Sequence, residues 1–409
     1  FKIFILLSLV VIFYYTSVFL KYFNIYQTEY FLITIFGLLG MMIMISSQNF
    51  LLLYLGIELL SLSLYSVIAF NRNSLFSSEA AVKYYILGAI SSGFLLFGIS
   101  LVYGLSGSLN FNEIFSYVEL LNFSNGIDNV QIIGLLFALI FILISLSFKF
   151  GAAPFHMWIP DVYHGSIITT TLLLSTIPKI AVFVVFIKLL AIVFSGLFLF
   201  WSDMVVILAI LSILIGNIVA ISQTNIKRML AYSTIANIGF VLLGLSVGSI
   251  IAYKAAMFYT LTYVITTVAA FGLLSQLVHK NKPVENISDL SGLNSSKPFL
   301  AFLLMVILLS YIGIPPLLGF HAKLFIIQSL VESNHILLSI FAVLMTVIGS
   351  FYYLRVIKVI YFDELKDELL ITSKLYFTGA YVIGLMLLGL FPDILGQLSQ
   401  YSISNLFNT

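Results

Sequence analysis

Apolar residues fall in long unbroken runs separated by short polar clusters, at 3–20, 30–47, 49–70, 79–103, 130–161, 166–194, 203–222, 229–247, 250–278, 298–331, 335–361 and 374–391. Most runs are near the ~20 residues that a helix needs to cross ~30 Å of hydrocarbon. A membrane β-barrel would instead alternate apolar and polar residues in short segments. The pattern predicts an all-α polytopic membrane protein with about twelve transmembrane helices. Two runs are too long for one straight helix. The run at 130–161 holds Gly151 and Pro154, and the run at 298–331 holds Gly313, Pro315, Pro316 and Gly319. Each is read as one crossing by a broken helix.

The polar clusters between runs sort by charge when loops are placed alternately on two sides. One side collects Lys21, Arg72, Lys227, Arg228, Lys280, Lys282, Lys297, Lys366 and Lys374; the other holds Glu113, Glu119, Asp128, Asp203, Glu332 and Asp393, with Lys2 as the exception. By the positive-inside rule the first side is cytoplasm or mitochondrial matrix. The two broken helices then run in opposite directions, each the fourth helix of a five-helix block. This predicts two inverted repeats, at 30–194 and 195–361, after an accessory N-terminal helix (1–29) and before a C-terminal helix and tail (362–409). Interrupted helices at corresponding places in two halves point to an ion site. The stretch FNEIFSYVELL, Phe111–Leu121, is amphipathic and is expected at the interface.

Composition narrows the chemistry. Of 409 residues 61% are hydrophobic and 8% charged, against roughly 25% charged in soluble domains. The chain has no cysteine, which excludes thiolate-ligated iron–sulfur clusters, disulfides and thiolate zinc. Its five histidines show no HExxH spacing, and there is no P-loop or dinucleotide fingerprint. No metal or cofactor site is expected in the chain itself, and no nucleic-acid partner. Residue 1 is Phe and Lys21 follows the first run, which does not resemble a cleavable signal peptide. The abundance of Phe, Ile and Tyr suits an AT-rich genome such as an organelle's.

Ionisable residues inside such runs are costly and point to function. Glu58 lies midway along its helix with Ser61 and Tyr65 on the same face; a carboxylate there can accept a proton, or pair structurally with another helix. Lys83 lies one turn inside the basic-side end, ~12 Å from Glu58 in depth at 1.5 Å per residue, so direct pairing needs tilt or reach, and snorkelling is the alternative. Lys149 precedes the first break and His156 follows it; both can exchange protons beside freed carbonyls and water, though a lone histidine is as often a structural donor. Lys179, with Thr171 and Ser175 at helical spacing before it, forms a polar stripe. Lys323 follows the second break, near His321. Lys188 and Lys254 carry a weaker signal because both can reach a membrane surface. Asp161 and His164 fall at the basic-side mouth, with a gating or loop role at most. One carboxylate against several lysines suits proton movement better than a sodium site.

SQTNIKRMLAYSTIANIGF (Ser222–Phe240) closely resembles the signature of the proton-pumping membrane subunits of respiratory complex I and their relatives in multisubunit sodium/proton antiporters. YLGIELLSLSLY (Tyr54–Tyr65), EAAVKYYILGAISSGFLLFG (Glu79–Gly98), FKFGAAPFHMWIPDVYHG (Phe148–Gly165) and GIPPLLGFHAKL (Gly313–Leu324) extend the resemblance over the chain from about residue 30. Within this antiporter-like family the wording is most similar to membrane chain 2 of NADH–quinone oxidoreductase. The resemblance implies that Glu58, Lys83, Lys149, His156, Lys179 and Lys323 form a central proton-transfer axis. It implies fourteen helices in bacterial members, so that the first two are absent here. It places NADH, FMN, iron–sulfur clusters and ubiquinone in other subunits, and gives as partners the neighbouring antiporter-like chain 4, small membrane-arm chains and lipids.

The reading is therefore a proton-translocating subunit of NADH:ubiquinone oxidoreductase with no redox centre of its own. It is expected in the mitochondrial inner membrane or, alternatively, the bacterial plasma membrane. A subunit of a multisubunit cation/proton antiporter is the second reading, and a membrane scaffold whose buried charges only pair helices is the third.

Overall fold

The computed structural model describes residues 1–121, 130–366 and 368–407; Asp128 lies outside them. The helices are α1 (Lys2–Tyr22), α2 (Thr28–Ser46), α3 (Phe50–Ile68), α4 (Leu75–Ser106), α5 (Phe111–Leu120), α6 (Val130–Phe150), α7 (Trp158–Gly165), α8 (Ile168–Ser175), α9 (Ile177–Phe186), α10 (Phe198–Ser222), α11 (Ile226–Ser246), α12 (Ile250–Ser275), α13 (Leu293–Ser296), α14 (Pro298–Ile312), α15 (Leu318–Glu332), α16 (Ile336–Phe362), α17 (Tyr376–Leu390) and α18 (Asp393–Phe407). Among the described residues ten helices are long and apolar enough to cross a membrane. The broken pair α14–α15 and the bent pair α17–α18 account for the other two predicted runs. The α17–α18 pair turns by 80°, so the C-terminal region is two helices rather than a helix and a tail.

The inverted repeats are visible in matching local devices. Asn49 caps α3 by accepting from Leu52 N, and Asn225 caps α11 by accepting from Lys227 N and Arg228 N. Each cap is fixed by a two-way backbone bridge. Phe50 N donates to Leu109 O and Phe111 N to Gln48 O, both 3.0 Å; Ile226 N donates to Glu285 O at 2.8 Å and Ile287 N to Thr224 O at 3.0 Å. The preceding helix ends are held by matching cations. Lys188 donates to Ile45 O at 2.6 Å and Ser47 O at 3.0 Å, and Arg355 to Ile221 O at 2.7 Å and to Gln223 O. Helix C-termini leave carbonyls unpaired and carry partial negative charge, so a cation there stabilises the end twice over. Lys188 is thus tied inside the fold, where the sequence suggested a reach to the membrane surface.

Glycine sets how closely the helices of each repeat approach. A Cβ at Gly40 of α2 would lie 2.7 Å from Gly56 O, and one at Gly216 of α10 2.5 Å from Ala236 N. At the centre, α11 and α12 are buried along nearly their whole lengths. Both carry apolar residues all round, as a helix enclosed by other helices must.

The two predicted breaks are present. After α6, Gly151 takes φ +89°, and after α14, Gly313 takes φ +88°. This left-handed geometry is accessible to glycine without steric cost. A third break was not anticipated: the 166–194 run splits at Thr176 (φ −117°, ψ −96°), just before Pro178, and ends in a π-helix at Ile187–Val193. A small antiparallel sheet was also missed. Its strands β1 (Leu277–His279), β2 (Lys282–Pro283) and β3 (Leu370–Ile371) have the order β2-β1-β3, and they pin the basic-side loop to the segment before α17.

Candidate functional site

The first cluster joins α3, α4 and α6. Glu58 is half-buried and accepts a hydrogen bond from Ser92 of α4. One turn on, buried Ser61 accepts from Lys149 Nζ at 2.7 Å and donates to Ile57 O. Lys149 therefore meets the glutamate's helix through a hydroxyl, not through a direct ion pair. It is 8% exposed, so the ammonium is held away from bulk water by neutral groups, the Ser61 hydroxyl and the Phe148 ring 5.8 Å away. The Tyr65 hydroxyl occupies the space left by Gly88, where an added Cβ would sit 1.9 Å from it.

The breaks hold the next two lysines. Lys179, 2% exposed, donates to Phe150 O at 2.8 Å and lies 5.1 Å over the Trp158 ring. Lys323, partly buried, donates to Tyr311 O and Ile312 O, both at 2.9 Å, and lies 5.6 Å over the Phe240 ring. Phe150 is the last residue of α6 and Ile312 the last of α14. In both repeats a lysine thus sits on the carbonyls that end the broken helix, the position favoured by the helix dipole. Lys179 comes from α9, in the crossing that follows the broken helix, and Lys323 folds back from the second half of its own broken helix. Among the described residues neither is paired with a carboxylate, so each can change charge without breaking an ion pair.

Three sequence candidates lie elsewhere. Lys83 is exposed and pairs with Glu79 at 2.8 Å and Asp161 at 3.0 Å, at the basic-side mouth rather than beside Glu58. His156 is half-buried after the first break, its ring 6.5 Å from Tyr232, with Nδ1 buried and unpaired among the described residues. The predicted Thr171–Ser175–Lys179 stripe is not one surface, because the break at Thr176 separates Lys179 from the other two. Thr171 bonds to Ser166 and Tyr163 O, and Ser175 to Leu172 O.

Asp161 does more than the sequence suggested. It also accepts from Arg228 of α11 at 2.9 Å, so it joins α4 of the first repeat to α11 of the second. Beside it Lys227 donates to His164 O and Ser166 O at 2.6 and 3.0 Å. Partial burial alone would raise the Asp161 carboxyl, but hydrogen bonds and charge from Lys83 and Arg228 outweigh it and hold the group below its usual value. Burial, with the charges of Lys227 and Arg228, lowers the His164 imidazole.

A second polar cluster in the other repeat escaped the sequence reading. Tyr263 OH donates to Thr234 Oγ1 at 2.9 Å, Tyr259 OH to Asn237 Oδ1 at 2.7 Å, and Tyr311 OH to Thr267 Oγ1 at 2.9 Å; Ser233 meets the Tyr353 hydroxyl. The available signal was Ser233/Asn237 and Tyr259/Tyr263 at i, i+4 on neighbouring helices. Uncharged residues do not stand out in an aromatic-rich chain.

Opposed repeats, each broken at a matching place with a lysine on the broken end, define an antiporter-like membrane protein. The family described as NADH:quinone oxidoreductase/Mrp antiporter, transmembrane region, matches residues 47–349, and the chain belongs to it. It is 46% identical over 406 residues to NADH-quinone oxidoreductase subunit N of Thioalkalivibrio sulfidiphilus, covering 98% of this chain and 83% of that one. It is 42% identical over 396 residues to subunit N of Ruthia magnifica, covering 96% and 81%. Among solved structures, a chain of respiratory complex I from Thermus thermophilus superposes with a TM-score of 0.78 at 29% identity, covering 96% of this chain and 84% of that one. A chain of the Mrp complex from Dietzia sp. superposes at 0.80 with 19% identity, covering 97% and 83%, a likeness of fold alone.

Proposed function

We propose that the chain is a proton-translocating membrane subunit of an NADH–quinone oxidoreductase, with Glu58, Lys149, Lys179 and Lys323 taking up and releasing the protons. The observation that carries this reading is the placement of Lys179 and Lys323 on the carbonyl ends of two oppositely directed broken helices. A lysine there is held by dipoles whether or not a neighbouring acid is charged. The chain's kinship with subunit N supports the same reading. Quinone reduction elsewhere in the assembly would drive the charge changes, with NADH, FMN, iron–sulfur clusters and ubiquinone carried by other subunits. His156 and Lys83 serve as flanking groups, Lys83 at the basic-side mouth. The partners are a neighbouring antiporter-like chain and small membrane chains. The relatives named are bacterial, which favours the bacterial plasma membrane over the mitochondrial inner membrane.

The test is NADH-driven acidification of inside-out membrane vesicles carrying Glu58→Ala or Lys149→Ala in the assembled complex. Proton pumping is expected to fall while assembly persists. Normal pumping by an assembled Glu58→Ala complex overturns the assignment. Copurification of flavin and iron–sulfur subunits separates this reading from a cation/proton antiporter.

A further inference from the structure

The matching devices of the two repeats show what the second repeat has in place of the Glu58 cluster. Asn49 corresponds to Asn225 by its cap and its bridge. Counting equally onward, Glu58 falls on Thr234 and Ser61 on Asn237. Counting back from Gly151 and Gly313, Lys149 falls on Tyr311. The carboxylate, hydroxyl and ammonium of the first repeat are thus replaced by a hydroxyl, an amide and a phenol, all buried. A site made only of such groups cannot hold a charge at neutral pH, but it can pass one on.

Its position suits that task. Thr234 receives the hydroxyl of Tyr263 from α12. The buried hydroxyl of Tyr163, from α7 of the first repeat, is near enough to interact with Thr234 and Tyr263, and no hydrogen bond of ordinary geometry reaches it among the described residues. The Tyr163 ring is 6.3 Å from Trp158, the ring under the Lys179 ammonium. On the other side, Tyr263, Tyr259, Thr262 and Lys323 line a cavity of about 20 Å³, which is room for one water. The Thr262 hydroxyl there is buried and unpaired among the described residues.

We propose that Tyr163, Thr234 and Tyr263 are the proton-carrying link between the repeats, joining Lys179 to Lys323 with a water in the cavity as the last carrier. The Trp158 Nε1 is committed to Phe148 O and carries no step, so in this proposal the transfer from Lys179 to Tyr163 requires a bridging water. The Lys179 ammonium gives up one proton. For this the Thr234 O–H turns from Leu230 O to Tyr263, and the Tyr263 O–H turns from Thr234 to the cavity water; each oxygen then accepts a proton on a lone pair and releases its own, and the neutral Lys323 amine becomes an ammonium. One proton moves, and no bond other than O–H and N–H is made or broken. The link rests on the proton-translocating reading above.

The experiment uses vesicles bearing the whole complex, reading acidification by a pH-sensitive dye against NADH oxidation, with assembly checked on a native gel. Lys323→Met is the reference. Tyr263→Phe and Thr234→Val, which keep shape and delete one hydroxyl, are expected to lose the same share of protons per NADH as Lys323→Met, and Thr234→Ser to keep near-normal pumping. Loss in the first two with rescue by serine supports the link. Full pumping by Tyr263→Phe or Thr234→Val, where Lys323→Met is impaired, overturns it. Full pumping by Lys323→Met overturns the proton reading itself. Should Thr234→Val fail to assemble, Tyr263→Phe decides alone, because it removes a single oxygen from a packed ring.

Discussion

Replacing Lys179 with methionine separates a functional lysine from a structural one. Lys179 is almost fully enclosed, with one hydrogen bond to Phe150 O and one aromatic face as its polar company. Methionine of similar length would forfeit that charged hydrogen bond, ~1.5–3 kcal/mol, and a desolvated cation–π contact of ~2 kcal/mol. Against this stands the cost of keeping an ion out of water, several kcal/mol even after relaxation. The balance lies between about zero and a few kcal/mol in favour of the variant. Lys179→Met should therefore assemble normally and melt at the same temperature or higher, while its proton pumping collapses. The assay pairs thermal unfolding of the purified complex in mild detergent with dye-monitored acidification of vesicles. A variant that fails to assemble, or that melts lower by the equivalent of more than ~3 kcal/mol, would show that the ammonium holds the broken helix together. Normal pumping would remove it from the proton path.

The matched staples should behave in the opposite way. Lys188→Met and Arg355→Met each remove two charged hydrogen bonds to a helix C-terminus, and each should cost ~3 kcal/mol or more in thermal unfolding, with pumping per assembled complex unchanged; a selective loss of pumping would make the staple part of the path. Asp161 carries a pH prediction. Its carboxyl is depressed in the fold, so its contribution is complete above the ordinary value near 3.8 and is lost as pH falls through the lower folded value. Asp161→Asn should thus melt below wild type equally at pH 7 and pH 5, and the gap should close only in stronger acid. A gap that closes between pH 7 and pH 5 would mean that another group controls the clamp.

Both broken helices were legible in the chain because glycine and proline mark where a helix cannot continue. Glu58 at mid-helix and the lysines near the breaks stood out for the same physical reason: lipid makes any ionisable residue conspicuous. Which group each one meets was not legible. Lys149 reaches Ser61 rather than Glu58, Lys83 turns outward to Asp161, and the Thr176 break removes Lys179 from the stripe that its spacing implied. Hydrogen-bond range is a few ångströms, and the partners lie on other helices, 29 to 88 positions away along the chain in the cases of Phe150, Asp161 and Ser61. The neutral cluster around Thr234 and Tyr263 lay deepest of all. Hydroxyls scattered among apolar residues carry no signal until α11 and α12 are packed side by side. The sequence by itself determined the apolar runs, the two glycine-marked breaks and the inventory of charges. Only the tertiary structure decided which of those charges face a carbonyl, a hydroxyl or one another, because that depends on how helices far apart in the chain approach and rotate.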